Sequence, residues 1–118
     1  MSAHPVHQVE AELARLAVIG NKPAWQYEGT LAIARELARH GATGRRRSRG
    51  NCALANHLKR VAGTGDIEVT RYEVLVGPEG DEQIISLVEP PGDLCILRYF
   101  VCDFDDQPQR FRRLRATA

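Results

Sequence analysis

The sequence predicts a small α+β domain in which three helices precede a β-hairpin. Up to Ala62, apolar residues recur at helical spacing, and each helical segment ends near a glycine. After Gly65 the chain becomes rich in the β-branched and aromatic residues typical of strands. Since 118 residues suit one domain, we expect a single α+β domain over residues 1–118.

Three helices are expected in the first half. The first begins near Val6, and Gly20 and Asn21 end it. The second runs from about Ala24 to His40, although Gly29 costs about 1 kcal/mol in a helix and allows a later start at Thr30. The third runs from Cys52 to Ala62, with Asn51 as N-cap and Gly63 as its stop. The expected inner faces are Val6, Val9, Leu13 and Leu16 in the first helix, Tyr27, Leu31, Ala34, Leu37 and Ala38 in the second, and Leu54, Leu58 and Val61 in the third. Trp25 and Tyr27 are expected to be core anchors.

The second half predicts strands and then a more ambiguous apolar segment. Ile67–Val76 is expected to be one strand with a bulge near Thr70–Arg71, and Ile84–Val88 a second strand that completes a hairpin. Residues 94–104 suit either a further helix capped by Asp93 or a strand, and the helix is favoured. A short basic helix beginning near Pro108 is expected to turn Phe111 and Leu114 inward and Arg110, Arg112, Arg113 and Arg115 toward water.

Composition and cysteines narrow the class of protein. Apolar residues make up 43% and charged residues 26%, which excludes a disordered chain or a fibre. The longest apolar-rich run, Leu94 to Val101, is too short for a membrane span of about 20 residues, so we expect no membrane partner. An odd set of cysteines (Cys52, Cys95 and Cys102) without paired spacing favours reduced thiols and a cytoplasmic location.

The net charge of +1 hides a segregation along the chain. Residues 1–62 hold 10 Lys and Arg against 4 Asp and Glu, a sum of +6, whereas residues 63–118 hold 6 against 11, a sum of −5. Residues 35–60 are the most basic, and residues 107–118 are basic again. Such local fields decide where a polyanion can bind.

The leading hypothesis is a small non-enzymatic nucleic-acid-binding protein. An exposed Arg-rich loop over residues 41–50 would contact phosphates through Arg45, Arg46, Arg47 and Arg49. The outer face of the third helix, with Asn56, His57, Lys59 and Arg60, would face a groove. Three helices followed by a hairpin also resemble a winged helix–turn–helix arrangement. Against that resemblance, the predicted wing tip is acidic, and about ten residues separate the last two helices where the motif uses 3–4.

Three alternatives remain open. One is a solvated loop beside an ordinary amphipathic helix. Another is a protein-interaction or accessory protein that binds through its acidic C-terminal half. The third is a homo-oligomer in which the basic half of one chain meets the acidic half of another.

Catalytic and metal chemistry find little support in the sequence. The cysteines and histidines lack zinc-site spacings, and no phosphate-binding glycine motif or hydrolase motif occurs. Cys52, at a helix start near Arg47 and Arg49, has the setting of a reactive thiol, but a small buried residue is favoured. Asp103, Asp105 and Asp106 are expected to form a capping or solvated cluster. We therefore expect no catalytic residue, no metal site and no cofactor.

Overall fold

The computed structural model describes residues 4–89, 92–107 and 109–115. In these ranges four α-helices accompany a three-stranded antiparallel sheet, which confirms the predicted α+β class. The helices are α1 (Val6–Asn21), α2 (Gln26–Arg39), α3 (Ala53–Ala62) and α4 (Cys95–Asp106), the strands are β1 (Ile67–Val69), β2 (Glu73–Val76) and β3 (Gln83–Ser86), and a 3₁₀ helix covers Arg112–Leu114. No helix in the described ranges has the length and apolarity needed to cross a bilayer.

Helices α1 and α2 pack against each other at a pair of glycines. A Cβ built on Gly29 would lie 2.1 Å from the carbonyl oxygen of Gly20, and one built on Gly20 would lie 2.5 Å from Cδ1 of Ile33. The two backbones therefore touch at a point that tolerates no side chain. This contact explains why α2 begins at Gln26 and continues through Gly29, a residue that is unfavourable in an isolated helix.

The aromatic residues divide sharply between core and surface. All three phenylalanines (Phe100, Phe104 and Phe111) are buried, whereas the tryptophan and the three tyrosines are exposed. The expectation that Trp25 and Tyr27 anchor the core is wrong, since they are 71% and 60% exposed. Helix α2 turns Thr30, Ile33 and Leu37 into the core instead. Val61 of α3, another expected core residue, is also exposed.

The segment expected to be one long strand is two strands joined by a tight turn. The Thr70 hydroxyl accepts hydrogen bonds from the backbone N–H groups of Tyr72 (3.1 Å) and Glu73 (3.0 Å). This local capping reverses the chain at Thr70–Arg71, so a turn replaces the predicted bulge. The strands form an antiparallel meander in the order β1-β2-β3.

Residues 95–106 are helical, as favoured from the sequence, with Leu94 rather than Asp93 at the N-cap. Beyond α4, Phe111 and Leu114 are buried as predicted. Pro108 lies outside the described residues. Arg110 and Arg115 were expected to face water, but both contact other parts of the protein. Arg110 pairs with Asp103, and Arg115 donates to the carbonyl of Phe104 at 3.2 Å.

Candidate nucleic-acid interface

The Arg-rich loop is docked on the rest of the protein rather than freely exposed. The Gly44 N–H donates to the carbonyl of Leu114 at 2.8 Å, and the Arg46 Nε donates to the carbonyl of Asp105 at 2.7 Å. The Arg47 backbone, at a positive φ of 54°, donates its N–H to the Asp105 carboxylate at 2.8 Å. The expected exposure of residues 41–50 does not hold throughout the loop, because Ala42 is in the core.

The arginine side chains of the loop meet acids from the second half of the same chain. Arg47 lies 3.8 Å from Asp106, and Arg49 lies 3.7 Å from Glu68. Arg71 adds a 2.8 Å contact with Asp106, and Arg110 pairs with Asp103, so these aspartates are ion-paired although Asp106 remains exposed. The segregated charges therefore meet partly within one molecule. Arg45 is exposed, and in the described part of the chain it has no ion-pair partner.

The polar side chains of α3 hold neighbouring segments in place. Asn56 donates to the carbonyl of Thr43 at 2.8 Å, Lys59 donates to the carbonyl of Gly50, and Arg60 donates to the carbonyl of His40 at 2.5 Å. His57 was expected to face outward with them, but it is only 2% exposed and points toward α1. The side chains of α3 that were predicted to face a nucleic-acid groove thus mainly stabilise the connection between α2 and α3.

His57 belongs to a buried polar network that the sequence analysis missed. Its Nε2 lies 2.5 Å from Oε2 of Glu12, and because a carboxylate can only accept, Nε2 donates. Arg15 holds the same carboxylate through two hydrogen bonds of 2.8 and 2.7 Å and reaches Glu36 at 2.6 Å. The residues come from three helices, so no local sequence pattern reveals them.

The network lowers the pKa of both carboxyls, Glu12 and Glu36. Arg15 foremost, with His57, lowers the pKa of Glu12 despite the opposing effect of burial. Arg39 foremost, and then Arg15, lowers the pKa of Glu36 to about 2. Both carboxyls are therefore held ionised between the helices at neutral pH.

Acid should weaken the fold through this network. A carboxyl with a folded pKa below its unfolded value of about 4.3 stabilises the fold fully above the unfolded value and loses that contribution as pH falls. We expect the thermal midpoint to fall from about pH 5 toward pH 2, the folded pKa of Glu36. Circular dichroism melts across this range should show a shallower fall for Glu36→Gln than for wild type. Equal slopes in both proteins would contradict a role for Glu36.

Cys52 has a structural position at the start of α3. It is the N-cap in place of the expected Asn51, and its Sγ accepts from the Ala55 N–H at 3.4 Å. Burial raises the pKa of its thiol, which opposes the reactive thiolate considered from the sequence. In the described ranges no three His, Cys, Asp or Glu residues lie close enough to hold a metal ion.

The least neutralised basic surface lies elsewhere, in a groove of about 690 Å³ between α2 and residues 109–114. We call it the arginine groove. Among the described residues no acidic side chain lines it. Its lining consists of five arginines (Arg35, Arg39, Arg110, Arg112 and Arg113), Gln109 and an apolar floor of Leu31, Ala34, Ala38, Phe111 and Leu114.

The arginines of this groove divide into two groups. Arg39 pairs with Glu36 at 2.9 Å, and Arg110 pairs with Asp103, so these two already have carboxylate partners. Arg35, Arg112 and Arg113 form no ion pair with any residue in the described ranges. The sequence signal was the basicity of residues 35–60 and 107–118; what it could not reveal is that α2 and the C-terminal turn lie side by side.

A second groove, of about 850 Å³, separates α1 from strand β3. Val18 on its α1 wall and Ile84 on its β3 wall are 69% and 63% exposed. Its lining contains three acidic residues (Glu10, Glu89 and Asp93) and one basic residue, Lys22. Chemically this groove is the opposite of the arginine groove, because it combines exposed aliphatic surface with negative charge.

Comparisons with protein-family models, with curated proteins and with solved structures find no match to this chain.

Proposed function

We propose that this protein binds nucleic acid, with the phosphate backbone held in the arginine groove. The observation that carries the proposal is the convergence of five arginines from two separate segments on one groove with no acidic lining in the described ranges. Guanidinium groups pair with phosphate oxygens through two parallel hydrogen bonds. Arginine therefore binds phosphate with a defined geometry that the point charge of a lysine does not provide.

The two groups of arginines suit different parts of the task. Arg39 and Arg110 pair with carboxylates, so their charge is partly neutralised, and the largely buried Arg110 is held in the groove wall. The guanidinium groups of Arg35, Arg112 and Arg113 are available to a ligand, since no acidic side chain in the described ranges pairs with them. Positive charge continues beyond the groove at Arg60, whose guanidinium lies against the carbonyl of His40, directly after α2.

The residues predicted from the sequence take a smaller part in this proposal. Arg45 and Arg60 remain exposed and can extend the phosphate path. Arg46 donates to the backbone carbonyl of Asp105, and Arg47 and Arg49 pair with Asp106 and Glu68, so phosphate would have to compete with partners already in place. Asn56, His57 and Lys59 hold the fold together, and base-edge contacts by α3 are not part of the proposal.

Oligonucleotide binding across a salt series tests this proposal. Each phosphate neutralised contributes about −0.9 to the slope of log K against log salt for duplex DNA and about −0.7 for single strands. We expect the triple variant Arg35→Gln, Arg112→Gln, Arg113→Gln to reduce the steepness of that slope by about 2 to 3. The matched control, Arg47→Gln, removes a cation that is already paired and should change the slope by less than 1. Undetectable binding at low salt, or equal losses in both variants, would refute the proposal.

The acidic groove between α1 and β3 supports a second candidate function, docking of a protein segment. Val18 and Ile84 expose aliphatic surface on facing walls, and β3 pairs only with β2 in the described sheet, so its other edge is open to strand addition. The acidic lining favours a segment that alternates basic and apolar residues. This function would survive in the triple arginine variant and would be lost in Ile84→Lys.

A further inference from the structure

Two exposed aromatic residues lie where α2 begins, at one end of the arginine groove. Tyr27 is the second residue of α2, and Trp25 is its N-cap. Leu31, one helical turn after Tyr27, lines the groove, so the tyrosine continues the same face of the helix. Neither ring contributes to the core. Tyr27 is joined to the groove through Arg110, which lines the groove and lies against the ring, and Trp25 is two residues away along the chain.

The Tyr27 ring is held in position by an arginine of the groove wall. The Arg110 guanidinium carbon lies 3.6 Å from the ring centroid, and the same side chain donates to the Tyr27 carbonyl at 2.9 Å. Arg110 is itself fixed by Asp103 and by the Thr30 hydroxyl at 3.1 Å. One face of the ring is therefore covered by a cation, while 60% of the residue remains open to solvent. A ring ordered in this way loses little conformational freedom when a ligand stacks on it.

We infer that the ligand of the arginine groove is single-stranded nucleic acid, whose bases stack on Tyr27 and Trp25 while its phosphates contact the arginines. This inference rests on the proposed function and specifies its substrate class. A positively charged groove bordered by aromatic rings is the arrangement that single-stranded nucleic acid requires, because unpaired bases expose their faces for stacking. In a duplex those faces are covered by neighbouring base pairs, and the two rings would gain nothing from contact with it.

The protein carries a built-in reporter for this contact. Trp25 is the only tryptophan, so the intrinsic tryptophan emission comes from this position alone. Stacking of a base on the indole quenches that emission. We expect titration with a twelve-nucleotide oligothymidine to quench the emission, and a twelve-base-pair duplex to bind more weakly with little quenching.

Two variants separate stacking from general electrostatic attraction. Base–aromatic stacking contributes about 1–3 kcal/mol per base, so Tyr27→Ala should weaken oligothymidine binding about 5- to 150-fold, measured by fluorescence anisotropy of a labelled oligonucleotide. Tyr27→Phe keeps the ring and should bind within about twofold of wild type. The matched control is Tyr72→Ala, because Tyr72 is also exposed (58%) and also lies near an arginine, Arg98, at 5.3 Å, but Arg98, unlike Arg110, does not line the groove. Far-UV circular dichroism melts identify any variant that is unfolded at the assay temperature. The quenching of Trp25 emission is measured on the wild type and therefore tests stacking even if a variant fails to fold.

The outcomes distinguish failure of the inference from failure of the proposed function. Salt-dependent binding with equal affinity for duplex and single strand, no quenching, and equal losses in Tyr27→Ala and Tyr72→Ala would overturn stacking while leaving phosphate binding intact. Absence of binding to either oligonucleotide at low salt would overturn both.

Discussion

Substituting Gly29 by alanine should destabilise the protein by about 3 kcal/mol, although alanine is the better helix former by about 1 kcal/mol. The added Cβ would lie 2.1 Å from the carbonyl oxygen of Gly20 and 3.0 Å from Cδ1 of Ile96. Because the closest obstacle is backbone, no side-chain rotation relieves it, and α1 and α2 have to separate. Urea unfolding followed by far-UV circular dichroism measures the loss.

Gly65→Ala is the matched control for this substitution. A Cβ at Gly65 meets no atom within 4 Å, and its φ is not positive, so we expect a change within about 0.5 kcal/mol. A Gly29→Ala protein as stable as wild type would show that the two helices do not approach each other this closely in solution.

Removing the Glu12 carboxylate should cost about 3 kcal/mol in the free energy of unfolding. Glu12→Ala leaves the Nε2–H of His57 buried without an acceptor and breaks both hydrogen bonds from Arg15. Loss of one partner of a buried charged pair costs about 3–5 kcal/mol, and the partial exposure of Arg15 places the expected value at the lower end. Chemical denaturation at pH 7 measures it.

Two further variants divide this cost between its sources. Glu12→Gln keeps an oxygen that can accept from His57 but loses the charge that Arg15 pairs with, so its destabilisation should fall between wild type and Glu12→Ala. Glu10→Ala, on the same helix but exposed and ion-paired with the exposed His7, should change stability by less than about 0.5 kcal/mol. If Glu10→Ala and Glu12→Ala behave alike, the buried network contributes nothing to stability.

Much of the helical architecture could be predicted because its signals are local. The spacing of Val9, Leu13 and Leu16 identified the buried face of α1, and Gly63, with a φ of 68°, ends α3 as expected. The meander was missed because, in the sequence, the turn at Thr70 resembles a one-residue bulge within a single strand of alternating residues. Trp25 and Tyr27 were misplaced because large aromatic residues were expected inside, whereas the Gly20–Gly29 contact decides which side of α2 is buried.

The candidate site was predictable in its chemistry but not in its location. The sequence showed where arginine is abundant, but it could not show which arginines meet an acid. Asp105 and Asp106 lie some 60 residues from the loop that they hold, and Arg112 and Arg113 lie more than 70 residues from Arg35. Pairing at such separations depends on tertiary structure alone. His57 likewise has a polar neighbourhood on α3, and only its contact with Glu12 shows that it points inward.

The anchoring of the Arg-rich loop also determines when it can form during synthesis. Gly44 bonds to Leu114, and the Arg47 backbone bonds to Asp105, so both attachments wait for the C-terminal segments to emerge from the ribosome. Contacts between residues so distant in sequence also carry a large loop-closure cost, which slows folding. Until α4 is complete, Arg46 and Arg47 lack the partners that hold them in the folded protein, and both lie beside the polyanionic surface of the ribosome. Completion of α4 is then the event that engages these two arginines.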